Sequence, residues 1–506
     1  MNQAAKTTRH HSAMSSFKET LESLIIAFIL AFVFRAFTVE AFIIPTGSMA
    51  DTLRGAHFRL TCRTCGYPFD LSYGDSDNED IPTVPINLNP RRRLRPSDIP
   101  ICPLCGTQIA PNYTQRVSNG DRILVLKYLY FLSEPEIWDV VVFKNPTDPS
   151  QNFIKRLIGR PGDTVEIIDG DVYITQPGEK RKIQRKPDHV QEVLWIPTYH
   201  SDYQPPPDAP GRRAKEIWDT PFRPRPQSNA WHIDQQNRHF EFGGSDNPEF
   251  LQFNGERIKK FSQNFLAYNG NHPNSSDPAS DLKLAFTLIP GGQEGKVIIE
   301  LGKYGRLYRA EVEMNGACRI IDESEDESPL AEDNFDPLTA GEPISISFAN
   351  VDHRLELILG EKKLEYIGAD EPEEWGFNDR SRYRIPTVTL AGQGGAFTLR
   401  HAALFRDVHY TNSSNGQIGE GTEGNPFTLG EDEFFVLGDN SPQSHDSRFW
   451  DPPDPLPSGK RYQAHIVPRD YLIGRAFFVY WPAGFHIHPN VPFAPIPNIG
   501  DMRFIH

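Results

Sequence analysis

From Leu24 to Phe34 every residue is apolar, and this run constrains the chain more than any other stretch. The apolar character resumes past Arg35 with Ala36, Phe37, Val39, Ala41 and Phe42. Residues 17–37 supply about the 20 residues that a helix needs to cross a bilayer. A secretory signal peptide would close on small residues at a cleavage site, whereas this run passes straight into Phe42-Ile43-Ile44-Pro45. A buried core helix is the alternative reading. Lys6, Arg9 and Lys18 lie before or at the start of the run, and cationic flanks stay on the cytoplasmic side. The expectation is a cytoplasmic tail over 1–16, a transmembrane anchor over 17–37, and everything after about Thr38 outside.

The chain is too long for one ordinary core, since 506 residues point to two to four compact units. A hydrophobic share of 38% with 24% charged residues suits globular folding. The 38 Gly and 44 Pro follow no repeat and favour short strands and loops, so the fold class expected is mainly β. A net charge of −15 argues against a nucleic-acid partner, because phosphate binding needs a basic face.

Texture divides the chain beyond the apolar run. Segments such as Ile123-Leu124-Val125, Val140-Val141-Val142-Phe143 and Val165-Glu166-Ile167-Ile168 are β-branched and bounded by turn residues, the signature of strands. The expected division is a first core piece over 38–60, a Cys-rich insertion over 61–111, a second core piece over 112–182, a Pro-rich linker over 183–227, a β-sandwich insertion over 228–412 and a third core piece over 425–506. Alternation in Leu284-Ala285-Phe286-Thr287-Leu288 and Ile344-Ser345-Ile346-Ser347-Phe348 gives half-buried strands, and their regular spacing suggests a sandwich.

Three short segments carry chemistry. Ser48 follows Gly47, which lets the backbone turn tightly and expose the next side chain and its N–H. Lys155 sits among apolar residues in Phe153-Ile154-Lys155-Arg156-Leu157-Ile158. Burial disfavours an ammonium, so such a lysine can serve as a base near neutrality, and Arg156 is expected to push the same way. The segment Gly438-Asp439-Asn440-Ser441-Pro442-Gln443-Ser444-His445-Asp446-Ser447-Arg448 concentrates small polar groups and a charge pair. Each segment alone reads as a turn, a solvated charge or a loop.

Their order is more informative. Pro45-Thr46-Gly47-Ser48-Met49 behind an anchor, Gly120-Asp121-Arg122-Ile123-Leu124-Val125-Leu126-Lys127, the lysine segment through Gly159-Arg160-Pro161-Gly162-Asp163, and the final polar segment together resemble the bacterial type I signal peptidases. The resemblance implies a membrane-bound serine endopeptidase with Ser48 as nucleophile and Lys155 as general base, a dyad needing no histidine and no catalytic cofactor. It implies an oxyanion hole from the Ser48 N–H and the Thr46 hydroxyl, a hydrogen bond from Ser444 to the lysine amine, and an Asp446–Arg448 brace. Phe42, Ile44 and Ile154 would line shallow pockets for the small residues of an Ala-x-Ala site. It further implies signal peptides of exported preproteins as substrates, contact with the lipid bilayer and the secretion machinery, and a single-pass place in the bacterial cytoplasmic membrane with the catalytic part outside. Departures are Thr46 for the commoner serine, Asp51 where proline is usual, and Ser441-Pro442-Gln443 for an Arg-Asp-Asn-like piece.

Both insertions lie outside the resemblance. Cys62-x-x-Cys65-Gly66 and Cys102-x-x-Cys105-Gly106 have the spacing of a four-cysteine zinc ribbon, and metal-dependent folding would follow. Disulfides compete, given the expected extracytoplasmic location; the repeated Cys-x-x-Cys-Gly favours zinc. Cys318 is left as a small buried hydrophobe. The run Arg91-Arg92-Arg93-Leu94-Arg95 reads as a solvated loop or a contact for anionic head groups. The sandwich is similar to laminin-G or concanavalin-like jelly rolls, which fixes no function. It reads as a spacer, a docking module or a glycan binder. In an alternative, the protease scaffold is catalytically impaired and the tethered sandwich is the working part.

Overall fold

The computed structural model describes residues 17–29, 38–72, 101–108, 117–206, 220–254, 265–269, 278–324, 328–370, 385–414, 416–452, 462–484 and 496–506. Residues 17–29 are helical, and Phe17, Ile26, Phe28 and Ile29 are exposed along them. Among the described residues no helix is long and apolar enough to cross a membrane; residues 30–37 of the expected anchor, residues 1–16 and the run Arg91–Arg95 lie outside them.

The core is an antiparallel sheet assembled from distant segments. Its strands run in the order Val39–Ile43, Arg122–Leu126, Leu472–Trp481, Val140–Lys144, Asn152–Gly159, Glu433–Leu437 and Val467–Pro468. The β-branched and aromatic runs bury both faces: Val140, Val142 and Ile154 join Ile44, Met49 and Leu53 on one side, while Val141, Phe143, Leu157 and Trp450 pack on the other. A smaller sheet has the order Lys182–Ile183, Asp171–Thr175, Thr164–Ile168 and Phe427–Thr428. The outcome is a scaffold on which residues hundreds of positions apart become sheet neighbours.

The second unit is a two-sheet sandwich. One sheet contains Trp231–Asp234, His239–Phe242, Phe397–Arg406, Leu282–Pro290, Ile344–Val351, Arg354–Leu359 and Lys362–Ile367; the other contains Phe222–Pro224, Ser245–Phe253, Val388–Gly394, Lys296–Lys303, Arg306–Glu313, Ala317–Asp322 and Pro329–Asn334. Alternate residues such as Leu284, Phe286 and Leu288 meet Val297, Ile299 and Leu390 in one apolar cluster, as sheet periodicity requires. Cys318 is buried in that cluster.

The linker expected over 183–227 is corrected. Residues Asp188–Leu194 form a helix that buries Val190 and Leu194. Ile196–His200 pairs with the strand Phe397–Arg406 of the sandwich, and Phe222–Pro224 pairs with Ser245–Phe253. The prolines hid these elements. Pro197 lies where the pairing register shifts and Pro224 ends its strand, positions at which a missing N–H is tolerated. The sandwich therefore starts earlier than residue 228.

Around the described residues of the Cys-rich insertion, 61–72 and 101–108, His57–Thr61 and Pro68–Ser72 form a hairpin with the short strand Val117–Ser118 alongside. Two knuckles face each other: the Gly66 N–H donates to the Cys62 carbonyl and the Gly106 N–H to the Cys102 carbonyl, at 2.8 and 2.9 Å.

Candidate active site

The segment carrying Ser48 leaves the strand Val39–Ile43 and turns through residues 46–52. Its turn is closed by the Ala50 N–H donating to the Gly47 carbonyl at 3.0 Å and the Leu53 N–H donating to the Met49 carbonyl at 2.8 Å. The buried apolar side chains of Met49 and Leu53 anchor the turn. Lys155 reaches the same place from the strand Asn152–Gly159, and its Nζ donates to Ser48 Oγ at 2.6 Å. The lysine is only 4% exposed. Burial lowers its pKa to about 8, while the Asp446 and Asp439 carboxylates pull it back up and Arg448 lowers it further. A hydroxyl held against a lysine that readily gives up its proton is the geometry of an activated nucleophile.

Arg156, next in sequence, points to the other side of the strand. It forms a buried bidentate pair with Asp439, Nε to Oδ1 and Nη2 to Oδ2 both at 2.8 Å. The expected push of Arg156 on the lysine is therefore replaced by that of Arg448. Asp439 also accepts from Thr52 Oγ1 at 2.6 Å, tying the turn after Ser48 to the lysine strand.

The polar segment 438–448 forms the third wall. Asp446 and Arg448 make a buried bidentate pair, Nε to Oδ1 at 2.8 Å and Nη2 to Oδ2 at 2.7 Å. Burial pushes the Asp446 carboxyl up, but Arg448 and the Gly438 N–H together outweigh it and hold the group below its ordinary value. Asp446 accepts from the Gly438 N–H at 3.0 Å, and Arg448 reaches the Thr411 carbonyl at 2.7 Å. A side chain at 438 would collide with Ser444 Oγ and with the Ser48 carbonyl, so glycine lets the two segments touch. Ser444 is 2% exposed, but its hydroxyl makes no hydrogen bond to Lys155, whose Nζ donates to Ser48.

Among the described residues, neither the Ser48 N–H nor Thr46 Oγ1 is taken up by a hydrogen bond. Ile44 and Ile154 lie in one apolar cluster against which Phe42 packs. Sequence reasoning missed the Arg156–Asp439–Thr52 tie and the part played by Asn440, whose N–H donates to the Ser48 carbonyl at 3.0 Å. The Gly-Asp-Asn run drew attention to both residues, but their partners lie far away in sequence.

Away from this site, Cys62, Cys65, Cys102 and Cys105 are buried and form no disulfide. Their sulfurs lie within 4.8 Å of one another, with Cys62–Cys105 and Cys65–Cys102 both at 3.6 Å. A zinc tetrahedron with about 2.3 Å Zn–S bonds has edges of roughly 3.8 Å, so this donor set fits that ion, whereas a disulfide needs about 2.05 Å. Asp171, Asp281 and Asp352 also converge, but Lys303 and Lys186 supply their countercharge.

The fold and this site define a β-sheet scaffold presenting a serine–lysine pair. Residues 108–211 and 393–481 match the family described as signal peptidase, peptidase S26; these stretches contain Lys155, Ser444, Asp446 and Arg448, and Ser48 precedes them. The chain is 30% identical over 168 residues to signal peptidase I of Rickettsia typhi, covering 33% of this chain and 46% of the relative. It is 60% identical over 49 residues to signal peptidase I of Aquifex aeolicus, covering 10% and 19%. The chain thus spans less than half the length of the curated relatives it matches. Among solved structures it is similar to the carbohydrate-binding module CBM66 from Bacillus subtilis, at 11% identity, 37% coverage of this chain, 95% of that one and a TM-score of 0.24. So low a score carries no argument about what the sandwich binds.

Proposed function

We propose that this chain is a membrane-bound serine endopeptidase that removes signal peptides from exported preproteins. The observation carrying this reading is the 2.6 Å contact between Lys155 Nζ and Ser48 Oγ by a buried lysine with its pKa at about 8. Neutral Lys155 takes the Ser48 proton as Oγ attacks the scissile carbonyl carbon. The oxyanion is received by the Ser48 N–H and the Thr46 hydroxyl, each such donor being worth about 3 kcal/mol. The lysinium then protonates the leaving amine. Water, deprotonated by the same lysine, attacks the ester and releases the enzyme. Ser444, close to Ser48 through Gly438, is assigned to orient the lysine once the reaction displaces it from Ser48. Phe42, Ile44 and Ile154 are assigned to the shallow apolar wall that takes the small residues before the cleavage site.

The exposed apolar side chains of the helical residues 17–29, among them Leu24, Ile25, Ile26, Phe28 and Ile29, support an anchor in the bilayer and a catalytic part on its extracytoplasmic side, near the secretion machinery. Cys62, Cys65, Cys102 and Cys105 are assigned to a structural zinc ion, which takes no part in catalysis. The intact lysine–serine contact favours this reading over an impaired homologue.

The test is cleavage of an Ala-x-Ala precursor by the full chain in detergent. Ser48→Ala and Lys155→Ala are each expected to lower kcat at least 1000-fold. Processing that survives both substitutions would sink the proposal.

A further inference from the structure

The sandwich insertion reaches the nucleophile. Residues Ala267–Asn269 form a single turn placed against residues 47–56. Tyr268 is fully buried there, and its hydroxyl donates to the Ala56 carbonyl at 3.5 Å. Its ring fills the space beside the Gly47 Cα, so a side chain at 47 would overlap it. Leu266 and Tyr268 cluster with Ala50. Beside them Asn269 and Asn440 exchange side-chain hydrogen bonds, Asn269 Nδ2 to Asn440 Oδ1 at 2.8 Å and Asn440 Nδ2 to Asn269 Oδ1 at 2.7 Å. The other Asn440 amide hydrogen goes to the Gly47 carbonyl at 2.9 Å.

That last bond has a geometric consequence. The Gly47 carbonyl and the Ser48 N–H belong to one planar peptide unit, so fixing one aims the other. Asn440 is in turn fixed by Asn269, because turning its amide over would set donor against donor and acceptor against acceptor. Tyr268 blocks the remaining freedom at Gly47 by occupying the side of its Cα. The insertion is itself clamped to the core through Lys186 on Asp352 and Asp407, at 2.7 and 2.8 Å, and through Tyr173 on His353 at 3.2 Å.

We propose that Tyr268 and Asn269, carried by the sandwich insertion, are positioning residues that aim the Ser48 N–H at the developing oxyanion. The insertion thereby forms part of the catalytic apparatus and is not a separable module. This inference rests on the proposed peptidase reading.

Kinetics of the full chain on an Ala-x-Ala precursor separate the two ideas. If the unaltered protein does not cleave, the peptidase reading fails. If it does, Asn269→Ala is expected to lower kcat about 10- to 100-fold with KM within twofold and with the pH midpoint unmoved, since the lysine is untouched. Full kcat in a folded Asn269→Ala protein, or a loss confined to KM, overturns the inference. An independent cycle uses the contact at Gly47. Gly47→Ala is expected to cost at least 10-fold in kcat, and adding it to Tyr268→Leu, which removes the outer ring atoms, is expected to cost less than twofold more. If Gly47→Ala costs the same in both backgrounds, the ring does not set the backbone at 47 and the inference fails.

Discussion

Lys155 bears two opposed demands. In its proposed role as base it must be neutral, and burial brings its pKa down to about 8 from 10.5. The rate, kcat/KM, is therefore expected to rise with pH and reach half its plateau near 8, read from a pH–rate profile of precursor cleavage; a flat profile from 6 to 9 would contradict this assignment. The same burial costs stability. Below pH 8 both folded and unfolded chains hold the proton, and the folded chain bears the full cost of a buried ammonium. Between about 8 and 10.5 only the unfolded chain keeps it, so stability rises with pH across that window, by about 3 kcal/mol in total. Lys155→Met is accordingly expected to abolish cleavage yet stabilise the fold by about 2–3 kcal/mol at pH 7, a gain that shrinks towards pH 10.5 in urea titrations. Neither Lys155 nor Ser48 stands out alone in the sequence, and only the resemblance pairs them; the contact at 2.6 Å is a property of the fold.

At the scale of elements, the two Cys knuckles hold a hairpin whose apolar cluster contains Phe58, Leu60 and Phe69, with Ala267 packed against it. So short an element has a small core and depends on a cross-link. The purified chain is expected to carry a single equivalent of zinc, and Cys65→Ser or a strong chelator to remove it and unfold the hairpin. Because Ala267 adjoins Tyr268, cleavage is expected to fall along with the metal. Two oxidised cysteine pairs with no metal in elemental analysis would refute the zinc assignment. The cysteine spacing was legible because both pairs are local, four residues each. The linker over 183–227 was misread for the opposite reason: its strand at Ile196–His200 takes its partner from residues 403–406, and nothing local announces that pairing.

For the molecule as a whole, the join between core and sandwich combines apolar contacts with a buried electrostatic seam. Lys186 faces Asp352 and Asp407, and Lys303 faces Asp281 and Asp171. Removing one cation leaves carboxylates uncompensated in a dry site. Lys186→Met is thus expected to destabilise by about 3–5 kcal/mol, seen as a lower urea midpoint; a change within about 0.5 kcal/mol, the usual range for surface substitutions, would show that the seam carries little of the stability. Because the seam holds the insertion that reaches Gly47, a partly loosened chain is also expected to cleave more slowly.

The sequence by itself determined the β class, the order of the three polar segments, the cysteine spacing and the apolar run, because periodicity, propensity and residue spacing are local properties. The tertiary structure alone decided that Lys155 meets Ser48, that Arg156 turns away to Asp439, and that Asn269 reaches Asn440. These pairs lie 107, 283 and 171 residues apart. Each is set by sheet register and by the docking of one unit on another, and a contact across that much chain is fixed only when the whole core has packed.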